Sequence, residues 1–334
     1  MNARLDPLAV ATQGDAPGRS CPLHYRYAPE IFTRAADVPA TDVLYVVGGL
    51  YGNELALEQV LRLFAAERGR TQLVFNGDFH WFDVDSEVFA RVQRQVLAHT
   101  ALRGNVETEL ATEPEGEGQV DDAGCGCAYP EWVGNAVVER SNRILRRLRT
   151  AATPAQRLEL EALPMTLRAD VGDLKLGIVH GDAQSLAGWG FAQEHLRDGA
   201  HRDTVRGWFA QAQVDAFACT HTCLPVFQRL RGAGDAAARW IFNNGAAGMP
   251  NFSGDGAGLL TRVALHPFKG PQRRFGVQQG EVFIDAIAID TDTTQAHARF
   301  LRQWAEGSDA HASYFHRIAH GPDYRVGDAI QLEE

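Results

Sequence analysis

The feature that most limits the fold is an alternation. Short apolar runs ending in glycine or a polar residue are each followed by a stretch of helical periodicity. DVLYVVGGL (42–50) reads as a buried strand, and ELALEQVLRLFAAER (54–68) as an amphipathic helix closed near Gly69. TQLVFNGDF (71–79) is a second strand. DSEVFARVQRQVLAH (85–99) is a second helix, capped by Asp85 or Ser86. ALRGNVE (101–107) reads as a short strand and loop. PEWVGNAVVERSNRILRRLRT (130–150) reads as a helix starting at Pro130, and TPAQRLELEALP (153–164) as one capped by Thr153. TLRADVGDLKLGIVHGD (166–182) is a hairpin turning at Gly172–Asp173. After a helix at 202–213, the segments DAFACTHTC, ARWIFNNGAAG, GLLTRVALHP and EVFIDAIAIDT are strand-like.

Alternation followed by strands predicts an α/β fold, a four-layer α/β/β/α sandwich of two mixed sheets flanked by helices. Residues 1–40 read as an irregular N-terminal extension and 41–290 as the domain, with an acidic, Gly-rich insertion opening the stretch 108–150. Residues 291–334 read as a C-terminal tail. The net charge of −10 argues against a binder of duplex nucleic acid held by a broad basic surface. RILRRLRT (143–150) is the local exception and reads as a solvated helix face. With no apolar run of membrane-spanning length and no leader-like start, the expectation is a cytoplasmic protein with no membrane partner; a homo-oligomer is compatible with this. The five cysteines, Cys21, Cys125, Cys127, Cys219 and Cys223, are odd in number and argue against a disulfide framework. The close pairs CGC and CTHTC instead suggest metal or redox use.

Polar residues at the C-terminal ends of such strands converge on one rim. Asp78 (NGDFH), Asn105 (RGNVE), His180 (VHGD) and His221 (CTHTC) stand at those ends. One carboxylate, one amide oxygen and two imidazoles suit a divalent metal ion: Mn, Fe or Zn, one or two per chain. In order, GGLYGN, NGD, RGNVE, VHGD, THTC and NNGAAGMPNF resemble the motif series of the calcineurin-like metallophosphoesterases, especially their small prokaryotic phosphodiesterase branch, over roughly residues 42–290. The resemblance implies a metal-dependent phosphoesterase that hydrolyses a small phosphodiester or phosphomonoester through a metal-bound hydroxide. Asp78, Asn105, His180 and His221 match the ligands of one of the family's two metals. At the other pocket the ligand positions hold Gly49, Tyr51, Asp78 and Cys223, so three of the four ligands are replaced.

The site is therefore expected to be mononuclear, or dinuclear and rebuilt. Cys223, His80, Tyr51, Cys125 and Cys127 are candidates for additional ligands. Asp78 and His180 are candidate catalytic residues, together with Arg103, whose guanidinium could neutralise a phosphoryl oxygen. Asn53 and Asn244 are candidates for the substrate cleft. Val106 stands where some relatives carry a histidine proposed as general acid, so that acid is missing. Two alternatives stay open: a non-catalytic binding or regulatory protein using the same cleft, and a thiolate-containing metalloenzyme of different chemistry.

Overall fold

The computed structural model describes residues 17–19, 21–112, 124–232 and 237–333. The strands are β1 (Val43–Val47), β2 (Thr71–Asn76), β3 (Thr100–Leu102), β4 (Thr166–Val171), β5 (Leu174–Val179), β6 (Ala216–Cys219), β7 (Pro225–Leu230), β8 (Arg239–Asn244), β9 (Gly258–Ala264), β10 (Arg273–Gln279), β11 (Val282–Ile289) and β12 (Ile330–Leu332). The helices are α1 (Glu54–Ala65), α2 (Ser86–Leu97), α3 (Asn105–Ala111), α4 (Asn135–Arg149), α5 (Pro154–Glu161), α6 (Gln193–Arg197), α7 (Gly199–Ala212), α8 (Thr293–Gln303), α9 (His316–His320) and α10 (Val326–Ala329). No helix is long and apolar enough to cross a membrane among the described residues.

Among the described residues two six-stranded sheets form, ordered β10-β11-β9-β1-β2-β3 and β12-β7-β8-β6-β5-β4. Alternate side chains of each strand face the other sheet. Leu44, Val46, Val74 and Leu102 thus meet Leu176, Ile178, Ala218 and Phe242 in a buried layer between the sheets. The opposite faces, with Tyr45, Phe75 and Ala101 on one sheet and Phe217 and Ile241 on the other, are covered by helices. The result is the α/β/β/α sandwich, with both sheets mixed.

Local chemistry fixes several boundaries. Asp85 caps α2 by accepting N–H bonds from Glu87 and Val88. Thr153 caps α5 through Gln156, with Pro154 following. β4 and β5 pair antiparallel across Gly172–Asp173, with Val171 opposite Leu174. Two predicted boundaries move. The chain enters α3 at Asn105 instead of a loop, because the Glu107 carboxylate accepts the Gly104 N–H at 2.9 Å. α4 starts at Asn135, not Pro130: the Arg19 guanidinium gathers the Pro130 and Val133 carbonyls and the Asn135 side chain and holds 130–134 as turn.

Arg143, Arg146 and Arg147 of α4 are exposed, as a solvated face requires, whereas Arg149 is buried. Arg143 pairs with Asp309, Arg147 lies 4.4 Å over the Trp304 ring, and buried Arg149 donates to the Glu109 carbonyl. Residues beyond 290 are woven in: Trp304 is buried and donates to the Phe82 carbonyl, and β12 pairs parallel with β7. Near the N-terminus, Tyr25 is fully buried, with its hydroxyl on Glu109.

β1, β2 and β3 run parallel in one sheet, and β5, β6 and β8 run parallel in the other. Their C-terminal ends open on the same edge, where the candidate residues gather.

Candidate metal centre

Asp78 follows β2, Asn105 follows β3, His180 follows β5 and His221 follows β6. All four are buried. His180 Nε2 lies 3.3 Å from Asp78 Oδ2, 3.1 Å from Asn105 Oδ1 and 3.2 Å from His221 Nδ1. The ligand atoms of Asp78, His180 and His221 all fall within 4.8 Å of one another. No second group of three or more His, Cys, Asp or Glu residues gathers this way among the described residues.

Backbone groups orient every member of the set: the Val106 N–H donates to Asp78 Oδ1 at 3.1 Å, and carbonyls take the other three. His180 Nδ1 donates to the Asn76 carbonyl at 3.0 Å, which leaves a lone pair on Nε2. His221 Nε2 donates to the Cys127 carbonyl at 3.0 Å, which leaves a lone pair on Nδ1. Asn105 Nδ2 donates to the Cys125 carbonyl at 2.9 Å, which turns Oδ1 inward. Four acceptor atoms thus face one another with no N–H or O–H between them. Such a cluster repels itself unless a cation, or a shared proton, sits among the lone pairs. The titration directions agree. Burial, then the neighbouring His180, push His221 down to about 3, so it is a neutral donor. Burial by itself would lower His180 as well, but the Asp78 carboxylate and the Asn76 carbonyl outweigh it and raise it.

The loops that carry these atoms are strained and pinned. Asp78 sits at φ 51° and Gly77 at φ 91°. A Cβ on Gly77 would lie 2.5 Å from the Gly104 nitrogen and 2.6 Å from His180 Nδ1, so only glycine allows this approach. Glu107 accepts N–H bonds from Asp78, Phe79 and His80 as well as Gly104, which holds the left-handed turn. Among the described residues, the non-glycine residues at positive φ are Tyr51, Asp78, Ala128, Gln213 and Cys223. Tyr51, Asp78 and Cys223 line one cavity and Ala128 lies between two of its lining residues, a clustering typical of functional sites.

That cavity, of about 240 Å³, has Asp78, Asn105 and His221 at its base. Its walls are Tyr51, Trp81, Tyr129, Trp189 and Tyr314, with Val106, Val133, Val137 and Cys223. Trp189 is fixed from two sides. Its indole N–H donates to the Cys127 carbonyl that also takes His221, and its ring meets the His221 ring edge-on at 5.5 Å.

Solved structures give the comparison. A metallophosphoesterase from Sphaerobacter thermophilus aligns at a TM-score of 0.51 and 14% identity, over 84% of this chain and all of its own. A hypothetical protein from Pyrococcus horikoshii aligns at 0.55 and 13% identity, over 84% of this chain and 99% of its own. The fold is that of the metallophosphoesterases. No family model matches the sequence, and no curated relative matches it.

Two of the positions that the sequence resemblance assigns to the other pocket, Tyr51 and Cys223, meet in the structure. The Tyr51 hydroxyl and Cys223 Sγ are hydrogen-bonded at 3.0 Å, and the Tyr51 ring lies over Gly49. Burial raises both groups above their usual titration ranges, so phenol and thiol stay neutral. They line the cavity as a neutral pair instead of forming a second cation cluster.

Several expectations need correction. Cys125 and Cys127 are joined as a disulfide, so neither offers a thiolate; their carbonyls, not their sulfurs, serve the site. His80 faces away from the cavity: its Nδ1 is 2.6 Å from Asp83, its ring stacks on Phe89 at 3.7 Å, and its Nε2 has no partner among the described residues. Arg103 runs to the end of α5, where Nη1 donates to the Glu161 carbonyl at 3.2 Å, because helix-terminal carbonyls attract a guanidinium. Asn244 ties the sheets by donating to the Gly48 and Leu259 carbonyls. Asn53 caps α1 and lines a neighbouring cavity of about 560 Å³ that also touches Tyr51. Cys21 hydrogen-bonds with Ser185, and Cys219 is buried in β6.

Glu107 orients the Asn105 loop through the Gly104 N–H, as its place in the sequence beside Asn105 suggests; its hold on the Asp78 turn, and Trp189, Tyr129 and Tyr314 as cavity walls, were missed. Asp182 accepts from the Gln184, Ser185 and Gly190 N–H groups and so shapes the loop that carries Trp189.

Proposed function

We propose that the protein is a metal-dependent phosphoesterase with one divalent cation per chain, acting on a small phosphate ester. The observation that carries the reading is the meeting of four lone pairs, on Asp78, Asn105, His180 and His221, with carbonyls setting both imidazole tautomers. Two nitrogen and two oxygen donors suit Mn, Fe or Zn. A bound divalent cation would supply charge for an anionic ester and acidify water.

The chain's own residues supply the rest. Asp78 is the one carboxylate among the described residues that line the cavity. Tyr51 and Cys223 offer neutral O–H and S–H groups beside it. Trp189, Tyr129 and Tyr314 limit water around the ester. The Val106 side chain provides no acid, so an ester whose leaving group departs without protonation is the favoured substrate.

The test is to purify the chain without a metal-binding tag, count metals per chain, and assay an aryl phosphodiester and monoester with added Mn. About one metal, and turnover abolished by Asp78→Ala, is the expected result. Metal without turnover of either ester would end the catalytic reading and favour the binding alternative, which the neutral Tyr51–Cys223 pair in the second pocket also fits. An absence of metal after reconstitution would end both.

A further inference from the structure

We infer that the cavity above the metal centre selects a phosphodiester monoanion carrying a flat aromatic group, the ring lying among Trp189, Tyr129, Tyr314 and Trp81. This deepens the phosphoesterase reading and rests on it. Three observations lead there.

The first is charge. No lysine or arginine lines the cavity among the described residues. The Arg317 guanidinium, outside the lining, donates to the Pro250 and Cys223 carbonyls. Asp78 is the one carboxylate among the described residues that line the cavity, so it is the one lining acid that a divalent cation would face. The balance is one positive charge, which a diester monoanion cancels. A monoester dianion would leave an unpaired negative charge between apolar walls, at high cost.

The second is size. About 150 Å³ of apolar space accommodates a benzene molecule. The cavity measures about 240 Å³ and so holds one ring beside a phosphate group, not two rings.

The third is preorganisation. The Trp189 indole is hydrogen-bonded to the Cys127 carbonyl, and the Tyr129 hydroxyl to Ser141 at 3.1 Å. Their ring centroids are 6.1 Å apart. Trp132, 56% exposed at the rim, meets Trp189 edge-on at 6.3 Å and extends the aromatic surface outward. Rings already held in place lose little freedom when a flat ligand packs on them.

The experiment compares two diesters with the same ring-free leaving group, hexafluoroisopropyl phenyl phosphate and hexafluoroisopropyl methyl phosphate, on Mn-loaded protein. Each kcat/KM is divided by that ester's rate with hydroxide. 4-Nitrophenyl phosphate is the monoester control. The expected result is a phenyl preference of about tenfold or more, from stacking strength, with the monoester slowest. In Trp189→Leu and Tyr129→Leu the phenyl-to-methyl ratio, read within each variant, falls toward one. Equal rates for phenyl and methyl, with turnover intact, would overturn the aromatic selectivity and leave the phosphoesterase reading standing.

If neither ester turns over, binding of methyl phenyl phosphate and dimethyl phosphate to the Mn-loaded protein decides. Tighter phenyl binding that both variants abolish would support the selectivity and end the esterase reading. Equal binding would end both.

Discussion

Replacing Gly77 by alanine tests the centre at its tightest point. The new Cβ would sit 2.5 Å from the Gly104 nitrogen, 2.6 Å from His180 Nδ1 and 2.7 Å from the Gly104 Cα. Two of these are backbone atoms that no rotamer change can move. Restoring ordinary contact, about 3.4 Å, needs roughly 0.9 Å of separation between the turn bearing Asp78 and the one bearing Asn105. Metal ligation tolerates about 0.2 Å. Gly77 also has φ 91°, where an L-residue costs about 1–2 kcal/mol. Overpacking adds about 1–3 kcal/mol, for a total of about 2–5 kcal/mol. With an unfolding entropy of about 0.7 kcal/mol/K for 334 residues, the melting temperature should fall by about 3–7 °C. The assay pairs metal-free thermal unfolding with a metal titration. The expected outcome is that modest melting loss together with at least a hundredfold weaker metal binding. Full affinity in a folded Gly77→Ala protein would refute the claim that Asp78 and Asn105 share one ion.

Further outcomes follow from the same geometry. His180 is raised in the metal-free protein, so a proton occupies Nε2 below that raised value and competes with the cation. Affinity should fall as pH drops through that range and level off above it, with proton uptake or release measured by titration in buffers of different ionisation enthalpy; pH-independent binding between 5 and 7 would contradict this. Cys125→Ser with Cys127→Ser, or reduction of the wild type, frees the segment whose carbonyls orient Asn105 and His221. Metal affinity should drop roughly 10–100-fold with little change in melting temperature, and unchanged affinity would dismiss the orienting role. Glu107→Ala leaves the buried N–H groups of Asp78, Phe79 and Gly104 without acceptors. It should cost about 3 kcal/mol or more in urea unfolding, whereas Arg103→Ala should leave kcat within about twofold.

Much of the scaffold was legible in the chain because it is local. Strand–helix alternation, the Asp85 and Thr153 caps and the turn at Gly172–Asp173 depend on residues within a few positions of one another. The four polar residues at strand ends were legible too, since parallel strands bring their C-terminal ends to one edge whatever the sheets' partners. The structure alone decided which way side chains turn once distant segments pack. Arg103 and His80 sit beside site residues in sequence, yet a helix end takes one and Phe89 with Asp83 takes the other. The cavity joins Tyr51, Tyr129, Trp189 and Tyr314, four rings separated by scores of residues. The carbonyls that fix two of the ligands come from a segment that reads in the sequence as an acidic insertion. The sequence by itself determined the order of elements and which polar residues stand at the strand ends, because both are written in short-range pattern. Tertiary structure decided the walls and the tautomers, because these arise only where chain segments far apart come within hydrogen-bond reach.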